Sequence, residues 1–162
     1  MRRKPDESGC MGQRAITVLA TASGGGHWDE LMLLRPTLDR YDVRYATTNS
    51  QLAQKRGITN ADHLPDCNRN QPLKSIYCAI FALWLMLKHR PDVVISTGAA
   101  PGFMCLLAAR LFGARTLWID SVANGEEMSM CGKLSRTFAH QCWVQWEDLA
   151  ATTNSRYFGA VL

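Results

Sequence analysis

The sequence predicts an α/β fold, a parallel sheet with helices on both faces, and three observations carry that prediction. Short apolar, β-branched runs recur at Ala15–Ala20, Val93–Ser96 and Thr116–Ile119. The stretches between them switch to helical spacing, and the first two runs end in glycine-bearing turns. A continuous apolar run bounded by turn residues is how a strand buried on both faces reads, and strands alternating with helices build a layered α/β sheet.

Each element follows in order. The run Ala15–Ala20 is closed by Gly24, Gly25 and Gly26, after which Leu31, Leu34 and Leu38 lie on one side of a helix. Asp29 and Glu30 fall in its first turn, where acidic groups suit the positive end of the helix dipole. Val43–Ala46 is the second strand, and Gln51–Arg56 a short helix closed by Gly57. Asp62–Pro72, rich in proline, asparagine and aspartate, reads as a loop. Pro72 then opens a long helix that ends at Arg90, before Pro91. Val93–Ser96 leads through the turn Thr97–Gly102 into a helix over Phe103–Phe112, stopped by Gly113. Beyond Thr116–Ile119 come a polar loop over Ser121–Glu127, a helix over Ser129–Ala139, a strand at Cys142–Val144 and a short tail. The whole is a Rossmann-like domain over residues 14–162, with residues 1–13 as a flexible leader too polar for a signal core.

Composition narrows the classes. With 162 residues, 47% of them hydrophobic, the chain is one ordinary domain. The net charge of +4 is mild, and no basic run extends past Arg2–Lys4. That balance suits phosphates or anionic headgroups and does not point to nucleic acid. The six cysteines form no CxxC pair and no cluster with histidine. Four of them, Cys78, Cys105, Cys131 and Cys142, sit in apolar or mixed surroundings and read as small buried hydrophobes in a reducing cytosol, ahead of disulfides or zinc.

The chemistry concentrates in two turns. Ser23, Gly24, Gly25, Gly26 and His27 stand between the first strand and the first helix, where glycines let backbone amides approach an anion. The Gly-Lys-Ser/Thr ending of a P-loop is missing. Asp29 occupies the third glycine position of a dinucleotide fingerprint, which argues against NAD and a small oxidoreductase. Thr97, Gly98, Pro101 and Gly102 form the second turn, again at a strand's carboxyl end. Either turn alone is as well explained by tight chain reversal as by ligand binding; the pair favours a phosphate cradle. His27 is a candidate base or phosphate contact, against a histidine merely bonded to a nearby carbonyl. Asp120 ends a strand at the same edge, as a base or sugar ligand, or as the cap of its own turn. Glu126 and Glu127 follow it and read as solvated. No DxD triplet or other metal signature is present, and no metal is expected.

Two further stretches invite contact. Ile76–Leu87 holds no charged residue, and as a helix spans ~18 Å, short of the ~30 Å needed to cross a bilayer. It is either a buried crossover helix or one whose outer face dips into a membrane interface, with Tyr77, Phe81, Trp84 and Lys88 at headgroup level. Trp143 and Trp146 near the end are candidates for partner contact.

At these residues the chain resembles the membrane-anchoring, acceptor-binding subunit family of the two-subunit UDP-N-acetylglucosamine transferase of asparagine-linked glycosylation, with its bacterial exopolysaccharide relatives. The resemblance rests on Ser23–His27 with Glu30-Leu31, on Ile95–Gly98 with Pro101-Gly102, on Ser129–Leu134 and on Val144–Leu149. It implies the N-terminal half of a GT-B glycosyltransferase. A separate chain would supply the UDP-sugar-binding half, and this chain would bind no cofactor of its own and share the UDP-sugar donor. The acceptor implied is a lipid-diphosphate-linked saccharide, met by the two turns at the cytoplasmic face of a membrane. Eukaryotic members of that family carry an N-terminal transmembrane helix, whereas here peripheral membrane attachment is expected to rest on Ile76–Leu87. A non-catalytic anchor that recruits the catalytic subunit is the competing expectation.

Overall fold

The computed structural model describes residues 14–161, so the leader expected over residues 1–13 lies outside the described residues. The elements run β1 (Thr17–Ala22), α1 (Gly26–Leu33), α2 (Arg35–Leu38), β2 (Asp42–Thr47), α3 (Ser50–Lys55), β3 (Asp62–His63), α4 (Pro72–His89), β4 (Val93–Ser96), α5 (Ala99–Leu111), β5 (Arg115–Ile119), α6 (Met130–Ser135), β6 (Gln141–Val144), α7 (Glu147–Thr153) and β7 (Arg156–Tyr157). Seven strands form one sheet in the order β3-β2-β1-β4-β5-β6-β7, and every pairing is parallel. The Rossmann-like α/β fold read from the strand runs is the fold found.

The alternation of side chains along β1 divides the core. Leu19 joins Val94, Trp118 and Val144 on one face, covered by Ala82, Leu85 and Met86 of α4 and by Cys105, Leu106 and Ala109 of α5. Val18, Ala20 and Ala22 join Tyr45, Ile95 and Ile119 on the other, under Trp28 and Leu31 of α1, Leu38 of α2 and Ala53 of α3. A period of two presents successive residues to opposite faces, which is why β1 must be apolar throughout.

Coverage of the two faces is unequal. The helices α1, α2 and α3 lie between β1, β2 and β3 in the chain, on the left half of the sheet. The crossovers to the right half use α5, α6 and α7, and the buried residues of α5 and α7 belong to the face of α4. The second face over β4, β5 and β6 therefore keeps an apolar groove of about 420 Å³, lined by Ile16, Leu34, Tyr41, Val93, Leu117 and Trp143 among others.

Several boundaries differ from those the sequence suggested. Leu31, Leu34 and Leu38 do not share one helix, because Pro36 lacks the N–H an uninterrupted helix needs and α2 starts afresh at Arg35. α5 begins at Ala99, so Pro101 and Gly102 are buried helical residues rather than an open loop. Proline fits there because first-turn N–H groups have no intrahelical acceptor. α6 stops at Ser135, short of Ala139. The two-residue strands β3 and β7 replace expected loop and tail, and α7 follows Trp146 where the tail was expected.

The uncharged run lies in α4. Cys78, Ala82, Leu85 and Met86 face the core, whereas Leu73, Ile76, Tyr77, Ile80, Trp84 and Leu87 form an exposed apolar stripe. Phe81, expected on that outer face, is half-buried, packs on the core and stacks against Trp84 at 5.0 Å. Lys88 sits 4.7 Å over the Trp84 ring and pairs with Asp62 at 2.5 Å. Among the described residues no helix is long and apolar enough to cross a membrane.

Candidate functional site

Strand order reverses between β1 and β4, and an open α/β sheet parts its connections at such a point to leave a crevice at the strands' carboxyl ends. Both predicted turns border it. The first, Ser23–Gly25, is steadied by the Gly24 amide, which donates to Thr48 Oγ1 at 2.8 Å. Gly25 takes φ +78°, a left-handed conformation glycine adopts without strain, and no atom stands within 4 Å of where its side chain would be. Its carbonyl accepts from Trp28 and Asp29, which leaves the amides of Gly25, Gly26 and His27 at the helix start for an incoming anion.

The two turns are joined. Thr97 Oγ1 donates to the His27 carbonyl at 2.7 Å, and the imidazole lies directly on Gly98. A Cβ at Gly98 would stand 2.3 Å from His27 Nδ1, and φ there is +149°. Gly98 is glycine for both reasons. Nδ1 is enclosed without a partner, which leaves Nε2 as the nitrogen available to a ligand. Gly102 acts differently from its expected place in a phosphate loop: a Cβ on it would meet Ser96 Oγ at 2.0 Å, so its smallness serves the packing of α5 on β4. Pro101 is likewise buried.

Next to His27 lies a cavity of about 270 Å³ whose wall includes Ala99, Ser121, Asn124, Ser129 and Met130. Asp120 stands behind that wall, 1% exposed. Its Oδ1 accepts from Trp118 Nε1 at 3.0 Å and Ser129 Oγ at 2.6 Å, and its Oδ2 from the Ser129 amide at 2.9 Å and Asn124 Nδ2 at 3.3 Å. A carboxylate whose lone pairs are filled this way is not free to take a proton from a substrate hydroxyl. The expectation of Asp120 as a base gives way to a brace that ties β5 to α6, and even the helix packs tightly on it, since a Cβ at Gly132 would be 2.6 Å from Oδ1.

Sequence reasoning missed Glu30. It is 6% exposed, and its Oε1 accepts from Ser121 Oγ at 2.7 Å and the Val122 amide at 3.1 Å, while Oε2 is buried without a partner. Burying a carboxylate demands such bonds, and they fix the loop that lines the His27 cavity. Its signal was its position between Trp28 and Leu31 on the apolar side of α1, rather than its nearness to the helix start. Arg69 reaches Met130 of that cavity's wall, its Nη1 3.9 Å from Sδ.

The two tryptophans separate. Trp143 lines the apolar groove and stacks on Phe158 at 4.8 Å, with its Nε1 buried and unpartnered. Trp146 stands at the carboxyl edge instead, half-exposed, its Nε1 donating to the Val122 carbonyl at 2.8 Å.

The chain is 26% identical to UDP-N-acetylglucosamine transferase subunit ALG14 of Candida albicans, with 85% of this chain and 74% of the relative aligned. It is 22% identical to the mouse protein of the same name, with 93% and 85% aligned. Among solved structures it superposes on Acinetobacter baumannii MurG with a TM-score of 0.70 and 18% identity, a likeness of fold. That match covers 83% of this chain but 43% of MurG, so the chain spans less than half of the solved structure. The family model described as "Oligosaccharide biosynthesis protein Alg14 like" matches residues 18–161, and the chain belongs to that family.

Proposed function

We propose that this chain is the acceptor-binding subunit of a two-chain glycosyltransferase. With a UDP-sugar-binding partner it transfers a sugar to a lipid-diphosphate-linked saccharide at the cytoplasmic face of a membrane. The observation that carries the reading is the junction of the two turns. The amides at the start of α1 and the His27 imidazole meet at one crevice, with Arg69 in contact with Met130 of its wall, an arrangement suited to a diphosphate. Support for the partner comes from the family and from relatives that are named as subunits of a UDP-N-acetylglucosamine transferase.

In this reading the diphosphate rests on the amides of Gly25 and Gly26, with Ser23, Gly24, Thr97 and Gly98 shaping the turns. His27 Nε2 receives or orients the attacking hydroxyl of the acceptor, while the donor is held by the partner. Asp120 and Glu30 hold the wall of the site and take no proton. The apolar groove with Trp143 is the surface for the partner, because Ile16 and Tyr41 at its rim stay exposed and Val93, Leu117 and Trp143 only half-buried, so a cover would bury them further. The stripe on α4, flanked by Lys74 and Lys88, is the surface for the membrane.

The test is reconstitution. The chain alone should give no appreciable turnover of a lipid-diphosphate acceptor, and addition of the UDP-binding chain should restore it. His27→Ala in the complex should then abolish most activity while co-purification persists. Full activity of that variant would support the rival reading of a non-catalytic anchor, and robust turnover by the chain alone would refute the two-chain proposal.

A further inference from the structure

We propose that Trp146 is the platform on which a pyranose ring of the acceptor saccharide lies, beside the His27 cavity. This rests on the acceptor-binding reading above and adds to it the place of the sugar. Trp146 forms part of an open cavity of about 430 Å³, walled otherwise by Val122–Glu127. That cavity shares Ala123 and Asn124 with the cavity of His27, so the two are neighbours along one loop.

The indole is held as a platform should be. Its Nε1 bond to the Val122 carbonyl, 2.8 Å, fixes the ring in its plane. Gly125 packs against it, and a Cβ there would come within 3.3 Å of Cε2, so glycine allows the loop to lie flat on the ring. The ring nevertheless stays 46% exposed. A rigid aromatic surface offers apolar contact at small entropic cost and matches the C–H face of a pyranose. Hydroxyls at the ring's edge need acceptors. Glu127 is taken by Lys133 at 2.8 Å, whereas Glu126 is exposed and has no bonded partner among the described residues. Glu126 is therefore the carboxylate that receives them.

A pyranose could come from the acceptor or from the UDP-sugar, and the same titration separates them. The full chain is titrated calorimetrically with a short-alkyl diphosphate, with the same compound carrying N-acetylglucosamine, and with UDP-N-acetylglucosamine. Trp146→Ala is expected to weaken the sugar-bearing diphosphate by about tenfold, and to leave the bare diphosphate unchanged. Trp146→Phe keeps an aromatic face but loses the bond to Val122, and should bind within about threefold of the parent. Equal weakening of both diphosphates, or equal loss in the Phe and Ala variants, would mean that the indole only supports the loop and would overturn the proposal. Trp146-dependent binding of the UDP-sugar alone would overturn it in favour of the donor. A parent that binds both diphosphates equally sinks the platform alone; a parent that binds neither sinks the acceptor reading as well.

Discussion

Replacing Gly98 by alanine tests the junction on which the site depends. The backbone there has φ +149° and ψ 179°, a region populated almost solely by glycine, and a side chain in it costs about 1–3 kcal/mol. The new Cβ would also stand 2.3 Å from His27 Nδ1 and 2.5 Å from Cε1, so the imidazole must leave its position. Forcing a side chain off its rotamer adds roughly 0.5–1.5 kcal/mol. The sum, about 2–4 kcal/mol, corresponds to a fall in melting temperature of roughly 4–16 °C for a chain of this size. The assay is a double-mutant cycle followed by thermal melting. His27→Ala removes the obstacle, so Gly98→Ala should cost clearly less on that background, where backbone strain alone remains. The His27 ring resonances should shift in the single variant. If Gly98→Ala costs the same with and without the imidazole, or nothing at all, the ring does not rest on Gly98 and the two turns are not coupled as described.

Other consequences can be checked separately. Asp120→Ala should lose about 3–4 kcal/mol in urea unfolding, because it strands the Trp118 indole and the Ser129 amide in a buried place. The pair Ile76→Glu and Ile80→Glu should melt close to the parent, since both side chains are exposed. The same pair should lower retention on anionic phospholipid vesicles by about tenfold or more. His140 Nδ1 accepts from the Thr116 amide, and burial with Arg110 and Arg115 nearby lowers its pKa. A base lowered on folding stabilises fully above the ordinary histidine value of about 6.5 and loses that contribution as pH falls below it and through the lowered folded-state value. Melting curves from pH 8 to 5 should therefore decline less steeply in His140→Asn. Burial raises the thiols of Cys78, Cys105 and Cys142, the last two to about 12 and about 11. Mass-mapped alkylation at pH 8 should spare all of these in the folded chain.

The sheet was readable because its strands are buried on both faces, and burial leaves an unbroken apolar run in the chain. Val93–Ser96 is the same strand by sequence and by structure. Short edge strands such as Asp62–His63 leave no period to detect. α7 was legible after all: Glu147 and Asp148 are the first-turn acids a helix favours, and only the two tryptophans drew the eye away. The turns could be found from glycine alone, but not the division of labour within them. Gly98 makes room for a histidine from another element, whereas Gly102 makes room for Ser96, and both partners lie more than a turn away along the chain. Asp120 and Glu30 show the same limit, since whether a carboxylate is a base or a brace depends on donors that the chain brings in from Ser129 or Ser121.

The apolar groove on the second sheet face bears on how much of this subunit a cell can keep. If the partner proposed above seats in that groove, the solitary chain keeps an uncovered apolar lining that quality control can recognise. Binding shifts the balance toward the native form by mass action. Abundance of the one chain would then follow supply of the other, and equal stoichiometry would be enforced by the fold itself.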